Sequence, residues 1–256
     1  MSKSSTNRAR RETVEQMRRQ AQAAERRRTL TVVAVCVVVA LVIVGLAGYT
    51  LYTNNQEKEA LVKQNLDDLG ASAEAAACVA VVEDDASGEG DHVSGPVDYE
   101  TNPPASGPHF GVAADEDIHF YDADDRPAVE QLVHNLEHGW TIVWYDEMVA
   151  ADDEQMNVLT ATAEKLDAEG DDPQYSVILA PWTSEDGAPI PDGKHIALTH
   201  WSVHQPVYDP EFFKSDFESF GVSQYCDSFS GEALAEFIEK YPYDDSPEGY
   251  IWHETP

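Results

Sequence analysis

The feature that most constrains this chain is a run of 23 residues, Leu30 to Tyr52, without one charged side chain. At about 1.5 Å per residue a helix of that length reaches roughly 34 Å, enough to cross a hydrocarbon core of about 30 Å. A helix buried in a soluble core is rarely apolar over this length, and here Arg26, Arg27 and Arg28 abut the run. A cleaved signal peptide has a shorter apolar core and a small-x-small site at its exit. The exit here reads Tyr49, Tyr52, Thr53, Asn54, Asn55 and offers no such site. The run predicts one transmembrane helix. The arginines predict its orientation, with the amino terminus cytoplasmic and the carboxyl-terminal part extracytoplasmic.

Charge divides along the same boundary. Residues 1–29 hold nine Lys or Arg and three Glu, a net of +6. Of the chain's 16 basic and 48 acidic residues, 7 and 45 then remain for the rest, a net of −38. A domain so acidic is not expected to bind nucleic acid, whose phosphates need a basic surface. A solvated acidic surface is the ordinary meaning of such charge, ahead of a functional acidic patch. The expected organisation is a basic cytoplasmic tail (1–29), a transmembrane helix (30–52), an alanine-rich stalk (53–77) and an extracytoplasmic domain (78–256). The membrane is then one partner.

Of three cysteines, Cys36 falls inside the apolar run. Cys78 and Cys226 both fall outside, where oxidation is permitted, so one disulfide between them is the simple expectation. A redox or metal role for the pair is the alternative, although the spacing is not C-x-x-C.

Within the domain, VAVVE after Cys78 reads as a short strand. Residues 84–125 are rich in Asp, Gly, Pro and Ser, too long for an ordinary connector. They contain Pro103-Pro-Ala-Ser-Gly-Pro-His109, whose prolines and glycine stiffen the backbone and aim His109. Asp125 is placed to cap a helix that carries Pro127 in its first turn and stops at Gly139. Trp140–Tyr145 reads as a strand, and Asp152 opens a helix with Met156, Leu159, Ala163 and Leu166 on one face. Tyr175–Ala180 and His195–Trp201 are further strands, and a last helix carries Leu234, Phe237, Ile238 and Tyr241. The expected class is α+β, a mixed sheet with helices packed on it, preceded by the transmembrane helix.

The chemistry concentrates in His134-Asn135-Leu136-Glu137-His138. Histidines at i and i+4 project from one helical face a turn apart, a spacing that suits a single metal ion. The apolar stripe of that helix is Val129, Leu132, Val133 and Leu136, and both histidines point roughly 140–180° from its start. They therefore face solvent or a second layer. H-x-x-E-H also matches the inverted zinc-protease signature, in which Glu137 would be the general base. His109 is a third candidate ligand. His92, in the same loop, and His200, on a strand face with Ile196 and Leu198, are possible additions. Imidazole sites suit Zn or Cu, and the absence of external Cys or Met clusters disfavours Cu(I). The plain alternative is that these histidines hydrogen-bond the loop to the helix. His119, His195, His204 and His253 read as surface or ordinary strand residues.

Taken together, Gly90-Asp-His-Val93, Thr101-Asn-Pro-Pro-Ala-Ser-Gly-Pro-His109, Leu132-Val-His-Asn-Leu-Glu-His-Gly139, Val177-Ile-Leu-Ala-Pro181 and the closing Pro247-Glu248 resemble the bacterial domain of unknown function 3105 family. Cys78 and Cys226 fit its pattern, and the resemblance covers roughly residues 78–250. It implies membrane-anchored extracytoplasmic proteins without an established activity, with His92, His109, His134, Glu137 and His138 as signature residues. One segment departs: the family's strand usually reads A-W-G where this chain has His200-Trp201-Ser202. The expected function is an extracytoplasmic domain that binds or senses Zn or Cu through its histidines, not an enzyme; the alternatives are a metallohydrolase with Glu137 as base and an envelope interaction protein whose histidines only pack.

Overall fold

The structure is a computed structural model that describes residues 3–86, 90–170, 172–208 and 218–250. Contacts divide the chain into two compact units, residues 1–56 and 57–256.

In the first unit the chain is one unbroken helix, α1 (Lys3–Val62), whose last turns belong to the second unit. By length and composition it is able to cross a membrane. Its large apolar residues, from Leu30 and Val32 through Leu51 and Tyr52, are exposed. In water that would be unfavourable at roughly 25 cal/mol for each Å² of apolar surface.

The second unit is α+β. Its strands are β1 (Val82–Asp85), β2 (His92–Val93), β3 (His109–Phe110), β4 (Thr141–Tyr145), β5 (Val177–Pro181), β6 (Ile196–Ser202) and β7 (Phe220–Cys226). Its helices are α2 (Val129–Glu137), α3 (Glu147–Ala150), α4 (Asp153–Glu169) and α5 (Gly231–Lys240). Five strands form a mixed sheet in the order β1-β7-β6-β4-β5, in which only β4 and β5 run parallel. β2 and β3 pair in parallel as a separate ribbon that sets His92 opposite His109.

Alternation along the strands sends side chains to two cores. On one face, Val143, Leu179, Leu198 and Val222 pack with Leu159 and Leu166 of α4 and Leu234 and Phe237 of α5. On the other, Ile142, Trp144, Ile178 and Trp201 pack with Leu132, Val133 and Leu136 of α2. Residues 66–77, the far end of the expected stalk, join the first core: Leu66, Leu69 and Ala76 are buried there, and the Gly231 N–H donates to the Leu69 carbonyl at 2.8 Å. Cys78 and Cys226 form a disulfide.

Several elements differ from the sequence expectation; the strand expected at residues 79–83 runs over Val82–Asp85, and α3, β2 and β3 are additional. Asp125 does not cap α2, which begins at Val129; its carboxylate accepts from the Asp122 N–H at 2.8 Å and closes the turn before the helix. β7 was not foreseen, because Gly221, Ser223 and Gln224 mask its pattern, yet it lies between β1 and β6. The long loop is held as a layer over α2. Asn135 accepts from the Ala114 N–H at 2.9 Å and donates to its carbonyl at 3.2 Å, while Glu130 accepts from the Val97 N–H at 2.9 Å. α2 is therefore buried on both sides, apolar toward the sheet and polar toward the loop.

Candidate metal centre

The polar side of α2 carries His134 and Glu137 beneath the loop layer, and His138 follows as its C-cap residue. β2 and β3 supply His92 and His109, and a backbone bond from the Glu248 N–H to the Glu137 carbonyl, 2.9 Å, brings in Glu248. The last approach depends on Gly139. Its φ is +95°, and a Cβ there would lie 1.9 Å from the Tyr243 carbonyl oxygen. Only glycine lets the 243–248 segment close over the end of α2.

His109 is fully buried and Glu137 is 3% exposed. His109 Nδ1 lies 2.8 Å from the Gly107 carbonyl and its Nε2 lies 2.9 Å from Glu137 Oε2. Both ring nitrogens face acceptors, which suits the doubly protonated imidazolium. Burial pulls the His109 pKa down, but the hydrogen bond and charge of Glu137, with the Gly107 carbonyl, carry it above the usual histidine value.

His134 is the opposite case. Its Nδ1 donates to the Phe110 carbonyl at 2.5 Å, so the lone pair lies on Nε2, which faces His138 Nε2 at 2.9 Å. Burial lowers its pKa, the Phe110 carbonyl opposes that, and the neighbouring His138 and His109 charges add to the lowering. This is a neutral imidazole with its donor direction fixed. His138 Nε2 sits 2.9 Å from His134 Nε2 and 2.9 Å from Glu248 Oε2, while its Nδ1 is 3.4 Å from Glu116 Oε1. Burial works against its charge, but Glu116 and Glu248 hold its pKa at about 9. His92 stacks on His134, with centroids 5.1 Å apart, and its Nε2 lies 3.8 Å from Glu137.

Two groups of ligand atoms result, each within 4.8 Å: His92, His109 and His134, and His134, His138 and Glu248. Such clusters of imidazole and carboxylate are able to coordinate a metal ion or to carry acid-base chemistry. The donor set fits a borderline cation: Nε2 atoms and a carboxylate converge, and the far nitrogens of His134 and His138 face the Phe110 carbonyl and Glu116, as metal-bound histidines require.

The structure thus gathers His92, His109, His134, Glu137 and His138 in one place. It does not bring His200 there. That side chain lies on the opposite sheet face, buried, with Nε2 donating to the Asp245 carbonyl at 3.0 Å and Nδ1 3.4 Å from Thr141 Oγ1. Of the histidines set aside, His119 Nδ1 bonds the Val177 carbonyl, His195 pairs with Asp146 at 2.7 Å and His204 faces Glu83 at 3.4 Å; His253 lies outside the described residues. Glu248 and Glu116 are not among the ligands the sequence predicts. The Pro247-Glu248 pair was a signal for the first. Glu116, within Asp115-Glu-Asp117, looks like any other acid of the chain.

The chain matches no curated protein and no solved structure. It does match, over residues 92–252, the model of the family described as Protein of unknown function (DUF3105). That span takes in every member of the histidine and glutamate cluster, and the chain belongs to the DUF3105 family.

Proposed function

We propose that the domain is a metal-dependent hydrolase, with a Zn-type ion on His134, His138 and Glu248 and with Glu137 as general base. The observation that carries this is a buried carboxylate, Glu137, whose Oε2 meets His109 Nε2 at 2.9 Å and whose charge acts on His134, a member of the two-histidine, one-carboxylate set. Such a set leaves one position of a tetrahedral ion open, as catalytic zinc sites do. The ion would supply Lewis acidity at neutral pH. Glu137 would take the proton of the attacking water. His109, fully buried with its other nitrogen on the Gly107 carbonyl, would orient that carboxylate.

The test uses full-length protein in detergent, purified without a histidine tag and loaded with Zn. It is assayed on an activated ester and a fluorogenic peptide library. Glu137→Gln is expected to keep the metal and to lose turnover by about 10²–10⁴-fold, the usual weight of a general base. Turnover equal in the wild type and the variant, with metal retained in both, would sink the hydrolase. It would leave the second reading, a domain that binds or senses Zn or Cu without turnover, which the three-imidazole group His92, His109 and His134 favours. A wild type that takes up neither Zn nor Cu leaves an envelope interaction protein whose histidines pack.

We also place the domain outside the membrane, on a single-pass anchor at Leu30–Tyr52 with residues 1–29 inside. The apolar exposure of that helix and the three arginines before it support this arrangement. A carboxyl-terminal fusion to a phosphatase that matures only in oxidising compartments should be active; an inactive fusion beside an active amino-terminal one would reverse the orientation.

A further inference from the structure

The two ligand groups share His134, and this limits what the centre holds at one time. His134 Nδ1 is committed to the Phe110 carbonyl, so a single lone pair, on Nε2, is available. One lone pair serves one ion, and the groups are alternatives rather than a pair of filled sites. They also differ in access. The first group opens to solvent at one ring alone, His92, whose side chain is 54% exposed while His109 and His134 are buried; in the second, His138 and Glu248 are 15% and 21% exposed. They differ in strength as well. The inner group includes a carboxylate, while the outer one must draw His109 Nε2 away from Glu137.

We infer that His92, His109 and His134 form a loading seat for the same divalent ion, reached from solvent through His92. The ion then passes to His134, His138 and Glu248 by exchange of the other ligands while His134 holds it. This rests on the metal centre proposed above. Ligation by His109 releases its Nε2 proton to Glu137 or to water; when the ion moves inward that proton returns to His109, and His138 releases its own Nε2 proton to water as it ligates. The β2–β3 ribbon serves this passage: two residues of strand fix His92 beside His109 at the edge of the loop layer, with ring centroids 4.9 Å apart. The ion class is the one that imidazole favours, Zn, Co(II) or Cu(II).

Co(II) is the probe, because its absorption reports the ligands and the geometry. Full-length wild type in detergent is expected to bind one Co(II) per chain. His92→Ala, a change at an exposed ring that spares both cores, should still bind one, with uptake and loss to a chelator slowed at least tenfold. His138→Ala should bind one more weakly, with a spectrum altered toward an all-nitrogen set. The double variant, and His134→Ala, should bind none, with tryptophan fluorescence reporting that each stays folded. Exchange in His92→Ala at the wild-type rate would overturn the loading seat, as would two ions in the wild type. So would a folded His138→Ala that binds none beside a wild type that binds one. A wild type that binds no Co(II) overturns the metal centre itself, a separate and recognisable failure.

Discussion

Gly139→Ala tests whether the end of α2 was shaped for the centre. Gly139 has φ +95°, and an added Cβ would meet the Tyr243 carbonyl oxygen at 1.9 Å, its carbon at 2.8 Å and Ser246 Oγ at 2.9 Å. Two of those atoms are backbone, so no rotamer change relieves the overlap. An alanine at such a φ costs of order 1–3 kcal/mol in strain. Displacement of the 243–248 segment loses the bond from the Glu248 N–H to the Glu137 carbonyl, about 1 kcal/mol more. A total of about 3 kcal/mol lowers the melting temperature of a domain this size by roughly 6–12 °C. Because the same segment carries Glu248 to His138, Zn affinity should fall with stability, by tenfold or more. Differential scanning calorimetry on metal-free and Zn-loaded protein reads both effects, the second as a smaller upward shift on loading. A variant melting within about 2 °C of wild type would refute the assigned strain. One that loses stability yet keeps the full Zn shift would detach Glu248 from the metal.

Other perturbations separate the parts. Glu116→Gln removes the carboxylate behind His138 Nδ1; Zn affinity measured by chelator competition should fall about 10–100-fold, and an unchanged value would deny Glu116 that orienting role. Replacing Cys78 and Cys226 by Ser opens a closure across a separation of 148 residues, worth about 5 kcal/mol in the chain-entropy account. A denaturant midpoint that does not move would place the constraint elsewhere. Burial holds the His200 pKa below the usual histidine value, with Asp245 and backbone carbonyls opposing. The unfolded chain takes up that proton near pH 6.5 and the folded one does not. Its contribution is therefore whole above about pH 6.5 and erodes as the pH falls. Urea titrations of His200→Gln from pH 7.5 to 5 should show a shallower acid slope than wild type, and parallel slopes would refute the assignment.

Much of the fold was legible because its signals are local. The apolar run, the Asp152 cap, the α4 stripe, the strand cores and Gly139 after α2 each depend on neighbours within a few residues. β7 was not, because a strand between two others tolerates Gly221 and Ser223 when the backbone ladder and the flanking strands supply the burial. The histidines were legible as a set, since i and i+4 on a helix and a proline-stiffened loop are sequence facts.

The sequence by itself determined that α2 and its C-cap carry His134, Glu137 and His138 off the apolar stripe, and that His109 and His92 stand in a loop too long to be a connector. Only the tertiary structure decided that the loop folds back as the second layer and that His200 belongs to the opposite core. It also decided that Glu248 closes on His138 from more than a hundred positions away. The physical reason is range. Helical periodicity and turn chemistry act over one or two turns, whereas the pairing of a carboxylate with an imidazole depends on where the whole chain returns, and one acidic residue among 48 carries no mark of which imidazole it will meet.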